Sequence, residues 1–501
     1  MSLARIVTRA QIGVRAPKVL VEVHLSNGLP AFQIVGLPET SVKEAKERVR
    51  SALVNSQFLF PDTRITVNLA PADLPKEGGR FDLAIAIGIL VASGQLAQEA
   101  VQGAEFFGEL ALNGELRPVH AILPSVIEAA KNNHVSYLPL ANDPLASLAS
   151  RAKRCAVDSL QTLWKCFQGE PLGKINAHYE GHNDTESALV DFSDVKGQAS
   201  AKRVLEIAAA GGHNVLFLGP PGTGKSMLAQ RFPTIMPLMS EAQALESAAV
   251  YSLLGYEFEL ARWRNRPFRS PHHTCSAVAL VGGSSNPKPG EISLAHHGVL
   301  FLDELPEFDR KVLDSLREPM ETGVVTISRA ARQVDFPARF QLIAALNPSP
   351  TGHHTDKRAT PDQVLRYLSK ISGPFVDRID LQIELPKLSS SELMSSVSQE
   401  KSASIKARVQ KAFDIALSRQ ATSNALLSTR ELDRVCHLDR ECRAYLTRAM
   451  EKLQLSPRSY HRVLKVARTI SDLEQQPCIS LHSIKEALSY RAFERLLSQL
   501  S

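Results

Sequence analysis

The chain has 501 residues, 44% of them apolar and 22% charged, with a formal net charge of +6, which excludes a disordered or fibrous protein and suggests about three globular domains. Its six cysteines form no Cys-x-x-Cys pair, so neither a zinc ribbon nor a disulfide framework is indicated. The longest apolar run, Leu83–Ala92, is too short to cross a bilayer and the N-terminus lacks a signal-peptide core, so we expect a cytoplasmic protein that is not bound to a membrane.

Residues 1–170 alternate strand and helix patterns. Short β-branched or alternating apolar runs predict strands, and longer apolar stretches predict helices. A helix is expected from Thr40 or Ser41 to about Val54, with Glu44 and Ser41 forming a capping box. The other predicted elements are three strands and an apolar helix: Val19–Leu25, Phe32–Val35, Arg64–Leu69 and Leu83–Leu90.

Two stretches of this region resemble the proteolytic domain of Lon proteases, which has a ribosomal-S5-like fold. They are Pro75–Gly78, just before the apolar helix, and Gly108–Pro118. In that family a serine nucleophile and a lysine base follow these stretches, but their positions fall here at Arg80 and at about Leu123. Arginine is not a nucleophile, and leucine can neither take nor give a proton. The resemblance therefore implies a Lon-like domain without peptidase chemistry, which leaves a binding or assembly module.

A polar, glycine-containing stretch at 171–190 indicates a linker to the second half of the chain. The next stretch, Asp191–Gln198, resembles the adenine-side segment of AAA+ ATPases. In that segment the backbone near Val195 and Gly197 would contact the base. A helix is predicted to follow at Ala199–Ala210.

The sequence Gly-Pro-Pro-Gly-Thr-Gly-Lys-Ser follows the apolar run Val215–Leu218 and opens a helix. In this strand–turn–helix setting the glycines let backbone N–H groups surround phosphate oxygens, and the helix N-terminus adds partial positive charge. Lys225 would reach the β- and γ-phosphates, and the Ser226 hydroxyl would bind Mg²⁺. A plain turn between a strand and a helix does not require these fixed positions, so we predict a nucleoside triphosphate site. Its predicted residues are Gly219, Pro220, Pro221, Gly222, Thr223, Gly224, Lys225, Ser226 and Met227.

A second apolar run, Gly298–Leu302, ends in Asp303 and Glu304. At the carboxyl edge of a parallel sheet, Asp303 would hold Mg²⁺ through its water shell and Glu304 would polarise the attacking water. The alternative is an acidic pair that merely ends a strand. A third run, Gln341–Leu346, ends at Asn347, whose amide is suited to hydrogen-bond the γ-phosphate or the attacking water.

Two arginines match AAA+ elements by resemblance. Arg378, within Gly373–Asp380, matches the arginine finger that completes a neighbouring subunit's site. Its alternative is a structural pair with Asp377 or Asp380. Arg458 opens a helix and matches sensor 2 on the lid, with a solvated helix-end arginine as the alternative.

Inserted segments resemble those of the MCM, magnesium-chelatase and MoxR branch of AAA+ proteins. Arg262–Thr274 precedes the acidic strand, and Val324–Arg329 with Gln333–Phe336 predicts a hairpin after it. In ring helicases of that branch such loops line the pore. Arg329 and Arg332 at the hairpin tip would then contact DNA phosphates, and a salt bridge between subunits is the alternative.

Three His-His pairs raise the question of a metal site, but neighbouring histidines do not share one helix face. No cysteine or acid stands beside them at ligand spacing, so we predict no transition metal. The pairs are His272-His273, His296-His297 and His353-His354.

The positive charge is concentrated in the last part of the chain. Lys401–Ser501 contains 18 Lys and Arg against 10 Asp and Glu. A basic region suits a polyanion such as nucleic acid, although a solvated helix face gives the same excess.

Together with Phe268–Thr274, Phe301–Phe308 and Ser459–Ile470, these motifs strongly resemble the YifB/ComM family of magnesium-chelatase-like AAA+ proteins, most of all its competence branch, over nearly the whole chain. The resemblance implies an α/β protein with three domains. They are a Lon-like, S5-domain-2-like domain at 1–170, a parallel-sheet AAA+ P-loop domain with helix-2 and pre-sensor-1 inserts at 191–387, and a helical lid at 388–501.

The same resemblance implies a function. It is a hexameric DNA helicase or translocase that uses ATP and Mg²⁺ on single-stranded, duplex or branched DNA. It would promote branch migration in homologous recombination and natural transformation, with recombination proteins as candidate partners. The alternative is a protein-remodelling ATPase of the magnesium-chelatase or MoxR kind, and a chelatase motor would need separate partner chains.

Overall fold

The computed structural model describes residues 2–37, 39–169, 190–255, 259–260, 263–284, 287–329, 332–350, 360–389, 399–453 and 455–500. The chain divides into two compact units. The first contains the described residues of 1–183, 245–263 and 328–336, and the second contains the others. Apart from Val190, the predicted linker at 171–190 lies outside the described residues.

The first unit is built on a seven-stranded mixed sheet in the order β3-β4-β2-β1-β5-β8-β9. The antiparallel pairs β1–β2 and β2–β4 occupy its middle, and β5, β8 and β9 run parallel to β1 and to one another. Residues on β2 alternate between buried and partly exposed, as the sequence pattern predicts for a strand with one face on the core. β6 (Glu109–Leu110) and β7 (Leu116–Arg117) form a separate antiparallel pair. The strands of the large sheet are β1 (Ser2–Arg9), β2 (Lys18–Ser26), β3 (Ala31–Val35), β4 (Arg64–Ala70), β5 (Ala104–Phe106), β8 (Val135–Pro139) and β9 (Lys153–Val157).

The helices of this region are α1 (Thr40–Lys43), α2 (Ala45–Asn55), α3 (Asp82–Ala92), α4 (Ile122–Lys131), α5 (Asp143–Ala146) and α6 (Leu160–Phe167). The apolar helix α3 is buried along almost its whole length and packs on β1 and β2. Gly88 on α3 allows this approach, because a Cβ there would lie 2.5 Å from the Val23 side chain.

The predicted capping box at Ser41 and Glu44 is wrong. The Ser41 hydroxyl accepts a hydrogen bond from the Gly78 backbone N–H instead, and Glu39 stands at the helix N-cap without a side-chain cap bond. The predicted helix is also interrupted at Glu44, where α1 ends and α2 begins. The Ser41 hydroxyl therefore bonds to a residue distant in sequence and not to the helix end, as the local pattern had predicted.

Two segments from the middle of the chain belong to the first unit. Ala248, on a helix that includes residues 245–252, is buried in one apolar cluster with Ile122 and Leu123 of α4. The Arg15 guanidinium lies 3.6 Å from the Asp335 carboxylate, which the second segment contributes. The second strand of the predicted hairpin therefore packs within this unit.

The second unit contains a five-stranded parallel sheet in the order β11-β14-β17-β10-β18. Its central strands β10, β14 and β17 are buried on both faces, as continuous apolar runs predict. Two short two-stranded sheets, β12–β13 and β15–β16, lie outside it. The strands from residue 215 onward, in both units, are β10 (Val215–Leu218), β11 (Phe268–Arg269), β12 (Gly282–Gly283), β13 (Lys288–Pro289), β14 (Val299–Leu302), β15 (Val324–Arg329), β16 (Arg332–Pro337), β17 (Gln341–Leu346) and β18 (Leu381–Glu384).

Helices α16 and α19 of the C-terminal region pack on α7, and all three share an apolar core with the sheet. The parallel sheet and the helical C-terminal region confirm the predicted fold class. No helix of the described residues is long and apolar enough to cross a bilayer. The helices from residue 199 onward are α7 (Ala199–Gly211), α8 (Lys225–Ile235), α9 (Glu241–Ser252), α10 (Ala277–Val281), α11 (Glu291–Leu294), α12 (Arg310–Ser315), α13 (Arg317–Thr322), α14 (Pro361–Leu368), α15 (Gly373–Val376), α16 (Ser402–Gln420), α17 (Thr429–Val435), α18 (Arg440–Leu453), α19 (Pro457–Leu473), α20 (Leu481–Ser489) and α21 (Ala492–Leu500).

Candidate functional site

The glycine-rich loop leaves the carboxyl end of β10 and enters α8 at Lys225. Gly222 and Gly224 have φ angles of 79° and 91°, and a Cβ at either position would meet no atom within 4 Å. Residues other than glycine rarely adopt these backbone angles. The loop thus presents backbone to open space at a helix N-terminus, which is the arrangement that binds phosphate.

Lys225 is buried, and its ammonium donates hydrogen bonds to oxygen atoms only. Its Nζ lies 2.7 Å from the Gly219 carbonyl, 3.0 Å from the Pro220 carbonyl and 3.0 Å from Asn347 Oδ1. Burial lowers the pKa of Lys225, while the nearby Asp303 and Glu304 carboxylates act in the opposite direction. The lysine charge is thus held by neutral partners and remains available to a phosphate anion.

The acidic pair at the end of β14 lies against the start of α8. The Ser226 hydroxyl donates a 2.6 Å hydrogen bond to Asp303 Oδ2, and the Glu304 backbone N–H donates to Asp303 Oδ1 at 3.0 Å. A hydroxyl and a carboxylate at this separation are suitable oxygen ligands for a hydrated Mg²⁺.

Glu304 has an unusual backbone, with φ 52° and ψ 48° in the left-handed region. This conformation is uncommon for a residue with a side chain and is found preferentially at functional positions. Its side chain is 51% exposed, so the carboxylate can reach a water molecule.

Lys225, Ser226, Asp303 and Asn347 come together because β10, β14 and β17 are parallel neighbours whose carboxyl ends meet at one edge. The contacts join four of the residues predicted from sequence, and Glu304 adjoins them. Met227, also predicted, is 43% exposed in the first turn of α8.

A cavity of about 450 Å³ lies beside the loop on the side predicted for adenine. Gln198 lines it and donates hydrogen bonds to the Thr223 carbonyl at 3.2 Å and to the Pro386 carbonyl at 3.0 Å. Val195 is buried, and Gly197 has a φ of 57°, where an added Cβ would lie 2.8 Å from the Leu388 side chain. The other lining residues include Ala199, Ser200, Gln382, Ile383, Glu384, Lys387, Ser489, Tyr490 and Arg495.

A second cavity of about 180 Å³ lies at the base of the loop and is lined by Gly219, Pro348 and Glu384 together with Arg495 of α21. Arg495 therefore borders both cavities. The sequence analysis included Gln198 in the adenine-side stretch without giving it a role, and it missed Tyr490 and Arg495. The α21 arginine carries no motif, and only the packing of α21 beside β18 brings it to the cavities.

Arg378 has its contacts within the chain. Its guanidinium is ion-paired with Glu321 on α13 and donates to the Pro374 carbonyl, and its side chain is 15% exposed. Its Nε is buried without a hydrogen-bond partner among the described residues. The alternative considered from the sequence was an ion pair of Arg378 with Asp377 or Asp380. In the structure Arg378 pairs with Glu321 instead.

Arg458 is exposed in the first turn of α19. The Ser456 hydroxyl caps this helix by accepting from the Ser459 backbone N–H at 3.2 Å. Among the described residues, no contact joins Arg458 to the glycine-rich loop.

The predicted basic hairpin forms from β15 and β16, with Arg332 already inside the second strand. Its tip at 330–331 lies outside the described residues, as do the side chains of Arg329 and Arg332. The DNA contacts assigned to these two arginines stay predictions.

Two of the three histidine pairs are described, and His353-His354 lies outside the described residues. The rings of His272 and His273 have centroids 4.1 Å apart, and those of His296 and His297 lie 3.9 Å apart. His273 Nδ1 lies 3.2 Å from Glu304 Oε2. The sequence treated these pairs only as candidate metal ligands and missed this contact.

By the resemblance to Lon proteases, the positions of the nucleophile and the base fall at Arg80 and at about Leu123. Leu123 is fully buried in α4. Arg80 is buried too, and its Nη2 donates to Ser125 Oγ at 3.3 Å, while burial lowers the pKa of its guanidinium to about 10. A buried cation hydrogen-bonded to a serine leaves no nucleophile–base pair at this place.

We therefore expect no cleavage of an unfolded protein such as casein by the purified chain, with or without ATP. Ser125→Ala provides the control, because it removes the hydroxyl that contacts Arg80. Cleavage that needs ATP and disappears in Ser125→Ala would contradict the prediction, whereas cleavage that Ser125→Ala leaves unchanged comes from another protein.

Sequence profiles of three families match the chain: magnesium chelatase subunit ChlI over residues 191–393, subunit ChlI of Mg-chelatase over 21–142, and the C-terminal part of magnesium chelatase subunit ChlI over 399–491. Competence protein ComM of Haemophilus influenzae is 51% identical over 507 residues, covering 100% of both chains. Protein YifB of Escherichia coli is 49% identical and covers 100% of this chain and 99% of its own. Protein Rv2897c of Mycobacterium tuberculosis is 34% identical and covers 98% of this chain and 99% of its own.

Proposed function

The chain belongs to the YifB/ComM family of magnesium-chelatase-like AAA+ proteins, and from this premise we propose that it is a cytoplasmic, hexameric ATPase that moves along DNA. One observation carries the ATPase part of the proposal. Hydrogen bonds join Lys225 to Asn347 and Ser226 to Asp303 at the carboxyl ends of the three consecutive strands β10, β17 and β14. This brings a phosphate-binding cation, two metal-ligand oxygens and an amide to one edge of the sheet.

The residues fit ATP with Mg²⁺. Lys225 binds the β- and γ-phosphates through an ammonium whose hydrogen-bond partners among the described residues are all uncharged oxygen atoms. Ser226 and Asp303 would hold Mg²⁺, which supplies charge neutralisation on the phosphate oxygens. Asn347 orients the γ-phosphate or the attacking water. The base lies in the cavity lined by Gln198, beside Val195 and Gly197.

Glu304 acts on the attacking water. Its carboxylate accepts a hydrogen bond from that water and increases the electron density on the water oxygen as it approaches the γ-phosphorus. The left-handed backbone of Glu304 sets the direction in which its side chain leaves the main chain. Arg378 from a neighbouring subunit and Arg458 of the lid would stabilise charge on the transferred phosphoryl group.

DNA is proposed as the track for three reasons. A relative that is 51% identical over its full length is named a competence protein. The hairpin of β15 and β16 carries Arg329 and Arg332 next to its tip. Arg440, Arg443 and Arg448 are exposed on α18.

Intrachain ion pairs reduce the weight of the C-terminal charge excess. Arg419 and Arg468 both contact Asp472, at 2.7 Å and 3.0 Å, and Arg462 lies 3.8 Å from Asp380. We therefore place less reliance on net charge than on the hairpin. By extension from the competence relative, we propose branch migration of recombining DNA during natural transformation, alongside recombination proteins.

A second candidate is a protein-remodelling ATPase. The matches to magnesium chelatase subunit ChlI favour it. The two candidates differ in what stimulates hydrolysis, so the deciding experiment is the ATPase rate alone and with single-stranded, duplex or four-way-junction DNA. Stimulation by DNA supports the motor, and a rate indifferent to all three DNAs supports remodelling.

The double variant Arg329→Ala, Arg332→Ala is expected to reduce DNA-stimulated hydrolysis. The fall of log DNA affinity with log salt concentration should become less steep by about 1 to 2, because two phosphate contacts are lost. Fluorescence anisotropy of labelled DNA over a salt series measures the slope. The matched control is Lys131→Ala, Lys153→Ala, which removes two exposed cations elsewhere in the same unit. Equal slopes for the two double variants would remove the hairpin from the DNA site.

A further inference from the structure

Three cations lie toward the amino edge of the parallel sheet, the edge opposite the glycine-rich loop. Arg266 stands two residues before β11, and Arg339 stands two residues before β17. Lys406 lies in the second turn of α16, and all three residues belong to the second unit. Parallel strands begin at a common edge, and β11 and β17 are the two neighbours of β14. The candidate nucleotide site uses none of these three residues.

Arg266 is held at this edge by uncharged acceptors. Its Nε donates a hydrogen bond to the Pro237 carbonyl at 2.6 Å, and its Nη1 donates to the His297 carbonyl at 2.7 Å. The His297 backbone N–H donates in turn to the Arg339 carbonyl at 2.6 Å. Arg266 forms no ion pair with any residue that the structure describes. The guanidinium is therefore fixed in direction, and its charge has no counter-ion among these residues.

Lys406 approaches Arg266 from the helical C-terminal region. Ser402 lies one turn before Lys406 on α16, and its hydroxyl is 2.8 Å from the Thr234 hydroxyl. Thr234 stands three residues before Pro237, whose carbonyl holds Arg266. Burial lowers the pKa of the Lys406 ammonium, and repulsion by the Arg266 guanidinium lowers it further. The two cations thus lie within range of each other's charge.

The pair of cations is unfavourable in the free chain. Arg266 and Lys406 are both partly buried, and burial lowers the pKa of the Arg266 guanidinium to about 10. A cation that leaves water without a counter-ion loses free energy, and a second cation nearby adds repulsion. Arg419 and Arg468 of the same region share Asp472, whereas Lys406 has no ion pair among the described residues. An anion bound between Arg266 and Lys406 would remove both costs.

The neighbouring chain favours a phosphate of the DNA backbone as this anion. Arg339 is exposed and lies where the hairpin of β15 and β16 joins the sheet. The base of that hairpin is closed by a hydrogen bond of 2.8 Å from the Ala338 backbone N–H to the Gly323 carbonyl. Arg266 is linked to Arg339 through His297, so the cations stand at the base of the hairpin that is proposed to contact DNA.

We propose that Arg266 and Lys406 bind a phosphate of the DNA backbone at the base of this hairpin, with Arg339 beside them. Arg266 supplies a planar donor in a fixed direction, and Lys406 supplies a movable ammonium. A site of this kind reads charge and not base sequence. The inference rests on the proposed function, because it adds a contact to the DNA track at residues outside the hairpin tip and the nucleotide site.

The test measures the affinity for labelled duplex DNA of random sequence over a salt series, by fluorescence anisotropy with a non-hydrolysable ATP analogue present. For Lys406→Gln the fall of log affinity with log salt concentration should be less steep by about 1, because one phosphate contact is lost. The double variant Arg266→Gln, Lys406→Gln should be less steep by about 2. Lys411→Gln removes an exposed cation of the same helix and should match the unchanged chain.

Thermal unfolding of the variants without DNA tests whether Lys406 is instead a structural residue. In the free chain Lys406 is repelled by Arg266 and forms no ion pair among the described residues. Lys406→Gln should therefore unfold at the same Tm as the unchanged chain or at a higher one. A structural lysine would give a lower Tm and leave the salt dependence of DNA binding unchanged.

Two results would overturn this phosphate site. One is an equal salt dependence for Lys406→Gln and Lys411→Gln. The other is an unchanged salt dependence together with weaker assembly of Lys406→Gln in light scattering, which would make a carboxylate of a second copy of the chain the bound anion. Failure of the proposed function gives a different result, because the unchanged chain itself would then show no binding of DNA even at low salt. If the unchanged chain binds DNA and Lys406→Gln binds it with the same salt dependence, only the phosphate site fails.

Discussion

Glu304→Gln is expected to bind ATP as tightly as the unchanged chain and to lose hydrolysis by about 10²- to 10⁴-fold, the usual contribution of a positioned general base. The amide keeps the size of the side chain and loses the negative charge that polarises water. In the unchanged chain Glu304 Oε2 lies 3.2 Å from His273 Nδ1, and this contact does not involve the nucleotide. The affinity for ATP therefore has no reason to fall when Glu304 is replaced. Binding of a fluorescent ATP analogue and release of phosphate measure the two effects separately.

Lys225→Ala, unlike Glu304→Gln, should weaken ATP binding itself. Lys225 offers its charge directly to the phosphates, and a hydrogen bond to a charged group contributes about 1.5–3 kcal/mol, so ATP affinity should fall by about tenfold to 10²-fold. The alanine also removes the donor that holds Asn347. Weak binding in Lys225→Ala and normal binding in Glu304→Gln together would assign binding and turnover to different residues.

Glu307→Gln is the matched control. Glu307 lies three residues after Glu304, is exposed, and pairs with Lys370 at 3.9 Å rather than with the nucleotide site. It should hydrolyse ATP at the normal rate. Equal hydrolysis by Glu304→Gln, Glu307→Gln and the unchanged chain would remove Glu304 from the mechanism.

Much of the geometry of the candidate site could be predicted because the site lies where buried strands end. The runs predicted at Val215–Leu218, Gly298–Leu302 and Gln341–Leu346 are the strands Val215–Leu218, Val299–Leu302 and Gln341–Leu346 in the structure. Parallel strands bring their carboxyl ends to one edge, so the residue after each run is fixed in space by the sheet alone. That is why Asp303 and Asn347 could be assigned without a structure.

The contacts that could not be predicted depend on residues distant in sequence. Arg378 pairs with Glu321, which lies 57 positions earlier by residue number, rather than with the aspartates beside it. His273 reaches Glu304 only because the insert after β11 turns toward β14. Neither pairing has a local pattern. The same reason explains the failed cap at Ser41, whose hydroxyl is used by Gly78.

The first unit includes two segments from the middle of the chain, residues 245–263 and 328–336. Ala248 packs with Ile122 and Leu123, and the hairpin residue Asp335 pairs with Arg15. The second strand of the hairpin that the family resemblance assigns to the DNA pore thus belongs mostly to the first unit.

The last prediction concerns assembly. Arg378→Ala is expected to keep ATP binding and to lose hydrolysis on the order of 10³-fold, as when an arginine finger is removed. In the isolated chain Arg378 is paired with Glu321, and its buried Nε has no hydrogen-bond partner among the described residues. A γ-phosphate from a neighbouring subunit would supply a stronger partner than this half-exposed glutamate.

Glu321→Gln separates a structural role from a role in the neighbouring site. If Arg378 serves only to hold α13, both variants remove the same ion pair and should give the same defect, with equal losses of thermal stability of about 1 kcal/mol or less. If Arg378 acts on a neighbour, Glu321→Gln leaves the arginine free and should hydrolyse ATP at least as fast as the unchanged chain. ATPase rates and thermal unfolding of the two variants decide between these cases.

Mixing subunits then tests whether Arg378 acts between chains. Arg378→Ala subunits retain Glu304, and Glu304→Gln subunits retain Arg378, so an interface that combines the two intact residues should hydrolyse ATP although each variant alone does not. Size-exclusion chromatography with light scattering must show that the variants assemble together with ATP. Recovered hydrolysis in mixed rings places Arg378 at the neighbouring site. Mixed rings that stay inactive would exclude that role, and a chain that hydrolyses ATP normally as a monomer with ATP and DNA present would exclude the ring itself.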